Sequence, residues 1–418
     1  MKLKSEFLDL LYSRGYFNQC TDLVRLDQLM NSRCIPVYIG FDCTAKSLHI
    51  GSLMQIMILR YLQKFGHKPI VLLGNGTTKI GDPSGKDKSR AMLSTSDIAE
   101  NMLGIRKVLE KFIVFGEGTS DALLVYNAEW LDKLNYIDFL RDIGKHFSVN
   151  NMLTFDSVRL RLEREQNLSF LEFNYMLLQA YDFVQLNQRY GCLLQIGGSD
   201  QWGNIINGVE LGRKLKLPEL FGLTTHLLLT NAGEKMGKTA KGAVWLDAEM
   251  YDPTDYWQYF RNVKDEDVVR FLRLFTELPI AEIEKLEILK DHEINEAKKI
   301  LATEATKICH GKEIAENIAY DALKVFECND HSGLPIFYIG RSEIESGLLL
   351  VKLLQVSGLE ESNSSARRLI SNKGCKINDI VILDINYRLS LKDFCDVPYI
   401  KLSCGKKRHL KIVVKNNL

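Results

Sequence analysis

At 418 residues, with 46% hydrophobic and 26% charged side chains, the chain is too long for one core and too apolar to be disordered, so two or three globular domains are expected. The formal charge of +1 conceals a split: residues 341–418 carry 14 Lys/Arg against 8 Asp/Glu, and the last 22 residues hold no acid, so only this end suits a polyanion. The first nine residues carry acids where a secretion signal needs an apolar run, and no stretch reaches the roughly 18 apolar residues of a membrane span, so a cytoplasmic protein is expected, with no membrane partner.

In chain order, residues 1–36 read as helical and amphipathic, and Pro36 introduces a buried strand over 37–41. After a small polar turn, Ile50, Leu53, Met54, Met57, Tyr61, Leu62 and Phe65 recur at helical spacing. Strand, turn and helix place His49 and Gly51 at a helix N-terminus, where unpaired N–H groups and a partial positive charge favour a phosphate. Gly66 and Pro69 lead into the apolar run 70–74, a second parallel strand, which completes a βαβ unit. Further strands are expected at 123–126 and 192–196, after helices near 97–113 and 170–189. This alternation predicts a doubly wound parallel α/β sheet of Rossmann type, with ligands beyond the carboxyl ends of its strands.

The polar motifs fall at those ends. Residues 74–90 form a glycine-rich loop holding Asp82, Lys86 and Arg90; it lacks the third glycine of a dinucleotide fingerprint and is one residue short of a P-loop, so both are rejected. In the apolar helix that follows, Tyr175, Gln179 and Asp182 share one face, and buried polar groups there need partners. Paired glycines precede Asp200, which is suited to two ribose hydroxyls, and Gln201. Residues 233–242 place Lys235, Lys238, Thr239 and Lys241 among glycines in a cationic loop. Beyond Trp245 the alternation stops: Asp252 before Pro253, and Asp265, are read as N-caps of amphipathic helices running to about Phe326. Residues 329–335 read as a linker, and from about 345 a compact α+β module begins, with a helix capped by Ser362 that carries Arg367 and Arg368. Strand-like runs near 376–378 and 381–383 follow. Nine scattered cysteines, odd in number and without a C-x-x-C spacing, indicate neither a disulfide framework nor a zinc site.

Together, His49-Ile50-Gly51-Ser52, Gly81-Asp82-Pro83-Ser84-Gly85-Lys86 and Lys235-Met236-Gly237-Lys238-Thr239 resemble the signatures of class I aminoacyl-tRNA synthetases, in the version carried by bacterial-type tyrosyl-tRNA synthetases. The resemblance runs from about residue 30 to the end and implies tyrosine activation by ATP followed by transfer to tRNA(Tyr). By it, Tyr38, Gly40, Asp42, Asp82, Tyr175, Gln179, Asp182 and Gln201 bind L-tyrosine, with Tyr38 and Asp182 on the phenolic hydroxyl. Gly51, Ser52, Gly198, Asp200 and Lys238 bind ATP, while Thr44, His49, Lys86, Arg90, Lys235, Lys238 and Thr239 stabilise the transferring phosphate and pyrophosphate. Mg²⁺ is expected to arrive with ATP, since no carboxylate cluster suggests a metal site in the protein itself. The C-terminal module resembles the S4 RNA-binding module, with Arg367, Arg368, Lys373, Lys376, Lys406, Lys407 and Arg408 as tRNA contacts, and a homodimer through the catalytic domains is implied. The expected domains are therefore 1–246 catalytic, 247–330 α-helical, 331–344 linker and 345–418 S4-like.

Three departures stand in the first signature: Ser52 replaces its second histidine, Cys43 a usual proline and Ile39 a usual cysteine. A tryptophanyl enzyme shares the fold, but Tyr38, Asp82 and Asp182 are the tyrosine-type set. A small nucleotidyltransferase of the superfamily would not need the later domains, and an RNA-binding descendant without catalysis would not need the lysine loop.

Overall fold

Short β-branched and leucine-rich runs bounded by glycine and proline supply the central sheet. The computed structural model describes residues 2–84, 92–229, 236–239, 242–290, 293–327, 334–394, 399–405 and 408–415, without the side chains of 238, 239 and 325–327. Two compact units emerge, Met1–Glu316 and Asn317–Leu418.

In the first unit the strands are β1 (Phe17–Cys20), β2 (Pro36–Asp42), β3 (Lys68–Gly74), β4 (Leu123–Tyr126), β5 (Leu194–Gly198) and β6 (Phe221–Thr225). They lie in the order β1-β6-β5-β2-β3-β4. All neighbours from β6 to β4 run parallel, and β1 adds an antiparallel edge. The centre of β3 (Ile70, Val71, Leu73) is fully buried, as expected of a strand covered by helices on both faces. Winding reverses between β2 and β5, where Tyr38 lies opposite Gln195, and a crevice opens there beyond the carboxyl ends. This is the Rossmann-like α/β arrangement expected from the alternation.

Several local readings change. Residues 1–36 are not all helical: β1 separates helices Glu6–Ser13 and Leu23–Ser32, a four-residue edge strand too short to show a period. The first signature helix opens as a 3₁₀ turn over Ile50–Ser52 and becomes α-helical at Leu53–Lys64. The expected single helix near 170–189 is two, Phe170–Phe173 and Tyr175–Tyr190, hinged at Asn174. The strand expected at 192–196 runs instead from Leu194 to Gly198, and β6 went unrecognised. Asp252 caps helix Pro253–Arg261 by accepting from the Thr254 N–H at 2.7 Å. Asp265, read as a cap, is the first residue of helix Asp265–Phe275, with Lys264 before it.

A separate two-stranded ribbon pairs β7 (Lys238–Thr239) with β8 (Gly242–Ala243). The second unit is built on β9 (Ile336–Gly340), β10 (Cys375–Ile377), β11 (Ile380–Val381), β12 (Tyr399–Cys404) and β13 (Arg408–Lys415), ordered β11-β10-β12-β13-β9. β9 pairs in parallel with β13, so residues 336–340, expected in the linker 331–344, belong to this sheet. The parallel partner lies some 70 residues downstream, beyond the reach of local pattern reading. Asn378 and Asp379, both at positive φ (47° and 66°), make the two-residue turn between β10 and β11. Ser362 accepts from the Ser365 N–H and caps helix Asn363–Ser371 as expected; its Ala366 and Ile370 join Leu350, Leu353 and Leu354 against Ile400, Leu402 and Ile412.

Candidate functional site

The crevice between β2 and β5 is a cavity of about 510 Å³, lined by residues from the ends of β2, β3 and β5 and from helix Tyr175–Tyr190. Its volume suits a small ligand. Of the candidates named from sequence it gathers Tyr38, Gly40, Asp42, Thr44, His49, Gly51, Ser52, Asp82, Tyr175, Gln179, Asp182, Gly198, Asp200 and Gln201 in one wall. Lys86, Arg90 and Lys235 lie outside the described residues. Lys238 and Thr239 are described through their backbone in β7.

The deep end is polar and buried. Tyr38 is 1% exposed, its ring stands edge-on to Phe183 at 5.3 Å, and its hydroxyl has no hydrogen-bond partner. Burial and the charge of Asp182 hold this phenol well above its ordinary pKa. Asp182, also 1% exposed, accepts from Trp130 Nε1 at 2.7 Å and from Asn127 Nδ2 at 3.0 Å. Its carboxyl is pushed up to about 7, chiefly by burial; the two donors oppose the rise and Asp42 adds to it. The Gln195 Oε1 atom is likewise buried without a partner. An unmade hydrogen bond in such a place costs about 1–3 kcal/mol, so these atoms are set for a ligand.

Nearer the mouth, Asp42 accepts from Tyr175 Oη at 3.1 Å and from Thr77 Oγ1 at 3.0 Å. Gly74 makes this possible: a Cβ there would sit 2.4 Å from Thr77 Oγ1 and 2.5 Å from Asp42 Oδ1. Asp82 Oδ1 accepts from the Ser84 N–H at 2.9 Å and its Oδ2 from Gln201 Nε2 at 2.7 Å. Asn204 Nδ2 donates to Gln179 Oε1 at 3.0 Å and to Gln201 Oε1 at 3.1 Å. Asp82, Gln201, Asn204 and Gln179 thus make one network, which fixes a carboxylate and three amides.

At the start of the 3₁₀ turn, His49 Nδ1 accepts from the Gly51 N–H at 2.9 Å, so the imidazole caps its own helix and a neutral ring carries its proton on Nε2. Gly51 leaves room for this ring: a Cβ there would lie 2.5 Å from His49 Cε1. Trp245 meets the ring edge-on at 6.0 Å. The signature's departures are absorbed below the surface. Cys43 is fully buried, its N–H donates to Thr78 Oγ1 at 2.8 Å, and its carbonyl accepts from Asn101 at 2.9 Å. Burial pushes its thiol up to about 12. Ile39 is buried in β2, and Ser52 lines the cavity.

Sequence reading missed Asn127, Trp130, Thr77, Gln195 and Asn204. Asn127 follows β4 directly and so was open to the carboxyl-end rule, and Gln195 is the one polar residue within an apolar strand; no local signal marks Trp130. In the second unit Arg367, Arg368 and Lys373 are exposed and Lys376 half-buried. Arg408 is held by Glu360 at 2.6 Å, and Lys406 and Lys407 fall outside the described residues. Among the described residues no group of three His, Cys, Asp or Glu could hold a metal ion, and no helix is long and apolar enough to cross a membrane.

Comparison with known proteins gives the same picture. The model of the class I tRNA synthetases (W and Y) matches residues 30–327. The chain is 84% identical over 418 residues to a tyrosine–tRNA ligase of Ehrlichia ruminantium (strain Gardel), covering 100% of both chains. It is 62% identical over 415 residues to a tyrosine–tRNA ligase of Wolbachia sp. subsp. Brugia malayi, covering 99% of this chain and 100% of that one. Among solved structures it resembles a C-terminally truncated mitochondrial tyrosyl-tRNA synthetase of Aspergillus nidulans, with a TM-score of 0.67 and 31% identity over 77% of this chain and 94% of that one.

Proposed function

The chain belongs to the class I tRNA synthetases of the tryptophan and tyrosine group, and from that membership and the pocket we propose that it works as a tyrosine–tRNA ligase, activating L-tyrosine with ATP and passing it to tRNA(Tyr). The observation that carries the tyrosine reading is the buried Tyr38 hydroxyl without a partner beside the Asp182 carboxylate. A phenolic hydroxyl completes that pair, accepting from Tyr38 and donating to Asp182. Phenylalanine leaves the Tyr38 hydroxyl unpaired and gives the buried Asp182 carboxylate no donor beyond Asn127 and Trp130; for this enzyme family the discrimination is a known example of roughly 10⁵. Asn127 and Trp130 aim the Asp182 carboxylate, while Asp82, Tyr175 and Gln179 receive the α-ammonium group and Gln201 faces the substrate beside Asp82.

In the first step a tyrosine carboxylate oxygen attacks the α-phosphorus of MgATP, the bond from that phosphorus to the bridging oxygen breaks, and pyrophosphate leaves. No protein nucleophile is needed. Catalysis is positioning plus stabilisation of charge, with each well-placed donor worth about 3 kcal/mol. His49 Nε2–H and the Thr44 hydroxyl serve the phosphates from β2's end, and Gly198 and Asp200 serve the ribose. We assign Lys86, Arg90, Lys235, Lys238 and Thr239 to the departing pyrophosphate on the signature match. In the second step a terminal ribose hydroxyl of the tRNA attacks the activated carbonyl and AMP leaves.

We read residues 247–330 as the helical part beside the anticodon and residues 345–418 as an S4-like RNA-binding module, supported by exposed Arg367, Arg368 and Lys373. A homodimer is favoured by exposed apolar side chains within one stretch of the first unit, among them Tyr136 (58%), Ile137 (67%) and Phe170 (69%). A cytoplasmic setting fits such an enzyme. Charging of bulk bacterial tRNA with labelled tyrosine tests the function: tyrosine is expected to enter acid-precipitable tRNA, and charging with tryptophan instead would overturn the assignment.

A further inference from the structure

One face of the second unit's sheet packs on that unit's own helices, and the other is open toward β9 and β13, while Lys401 and Ser403 of β12 are buried on it. Alternation along β9, β12 and β13 sends Phe337, Ile339, Ile400, Leu402, Leu410 and Ile412 into the core beneath those helices. The opposite face carries Ile336, Tyr338, Val413, Lys411 and Lys415 on its open side, and Tyr399, Lys401, Ser403 and His409 beside them. Pairing register sets Tyr399 opposite Val413 and Val413 opposite Tyr338, so three strands form one row with a tyrosine at each end, roughly 10 Å apart from two strand spacings. Each ring has an ammonium over it: Lys411 Nζ stands 3.9 Å from the centroid of Tyr399, and Lys415 Nζ 4.8 Å from that of Tyr338. Tyr338 is 52% exposed. Among the described strand residues this face bears no acid, and the nearby Asp379 is occupied by Lys401 at 3.1 Å.

We propose that this open face is a single-stranded RNA platform, on which unpaired bases of the tRNA stack against Tyr338 and Tyr399 while Lys411 and Lys415 take the adjoining phosphates. Aromatic rings interleaved with cations on an exposed sheet are the arrangement that binds unpaired nucleotides: a ring accepts the face of any base, and an ammonium displaced from that ring reaches the neighbouring phosphate. A folded protein partner is the poorer fit, because the short row of Tyr399, Val413 and Tyr338 is flanked by Lys411 and Lys415, and lysines are depleted at the centre of protein interfaces. The inference rests on the reading of the second unit as an RNA-binding module, and it places the contacts on the sheet in addition to the helix bearing Arg367 and Arg368.

The test uses the full-length enzyme and the KM for tRNA in aminoacylation, with tyrosine-dependent pyrophosphate exchange as the internal control. Tyr338→Ala and Tyr399→Ala are each expected to raise the KM for tRNA by roughly tenfold, as loss of one stacked base does, with pyrophosphate exchange unchanged. Tyr338→Phe and Tyr399→Phe, which keep ring and fold, should retain affinity, and Lys411→Gln should lower the salt slope of tRNA binding by about 1. If the tyrosine and lysine variants bind tRNA normally while Arg367→Ala with Arg368→Ala weakens it, the sheet platform is overturned and the RNA-binding reading stands. If neither set changes tRNA binding, the RNA role of the second unit fails and the platform with it.

Discussion

Replacing Tyr38 by phenylalanine should move stability and specificity in opposite directions. In the free protein the Tyr38 hydroxyl is buried and unpartnered, while its ring rests edge-on against Phe183 at 5.3 Å. Tyr38→Phe keeps that ring contact and removes a buried polar atom whose unmade hydrogen bond costs about 1–3 kcal/mol. The ligand-free protein should therefore gain about 1 kcal/mol, an upward shift of about 2 °C in the melting midpoint of the first unit. With tyrosine bound the same change deletes one neutral hydrogen bond, worth about 0.5–1.5 kcal/mol, so kcat/KM for tyrosine should fall roughly two- to tenfold. Phenylalanine activation should hold or rise, because its ring no longer strands that hydroxyl. Thermal melts without ligand and pyrophosphate exchange with both amino acids measure the two effects. A lower melting midpoint, or unchanged discrimination between tyrosine and phenylalanine, would refute the assignment of this hydroxyl to the substrate phenol.

Asp182, pushed up to about 7 by burial, carries a charge that burdens the folded protein. Its raised pKa contributes stability that is fully present below the unfolded aspartate value of about 3.9 and is lost as pH rises toward 7, so the ligand-free protein should become more stable as pH falls across that window. Tyrosine affinity should change the other way, weakening as the acceptor protonates below about 7, and Asp182→Asn should abolish both pH trends together with tyrosine activation; unaltered trends would detach this residue from the phenol. Gly51→Ala forces a Cβ to within 2.5 Å of His49 Cε1, so the ring must swing away and adenylation should slow by roughly 10²-fold with tyrosine binding intact, measured by single-turnover fluorescence and equilibrium binding. Lys238→Ala should lower the adenylation rate by about 3 kcal/mol of transition-state stabilisation while leaving the tyrosine dissociation constant nearly unchanged; equal losses in both would place that lysine on the amino acid.

Much of the catalytic unit was legible because its signals are local. A parallel strand such as β3 is an unbroken apolar run, and the carboxyl-end rule then locates Asp42, Gly74 and Asp200 without any structure. Spacing alone put Tyr175, Gln179 and Asp182 on one helical face, and the cavity takes in all three. What stayed hidden depends on distant pairings. β1 is four residues whose partner is Thr225 and its neighbours, some 200 positions away. β9 is fixed only by β13, so 336–340 read as linker. Trp130 matters because its indole reaches Asp182 across the fold, and nothing in the residues around it records that contact. Gly51 was legible as a glycine that something must need, but the need is His49's own ring. The same holds for Cys43, an odd letter in the motif that becomes an ordinary buried side chain once Thr78 and Asn101 bracket its peptide.

The most direct measurement of the central claim is amino-acid-dependent exchange of labelled pyrophosphate into ATP, run side by side with tyrosine, phenylalanine and tryptophan. We expect exchange with tyrosine and at least a thousandfold less with phenylalanine, because the buried Tyr38 hydroxyl stays without a partner and Asp182 lacks the substrate's donor. Exchange driven equally by phenylalanine, or preferentially by tryptophan, would contradict the assignment of this pocket to tyrosine.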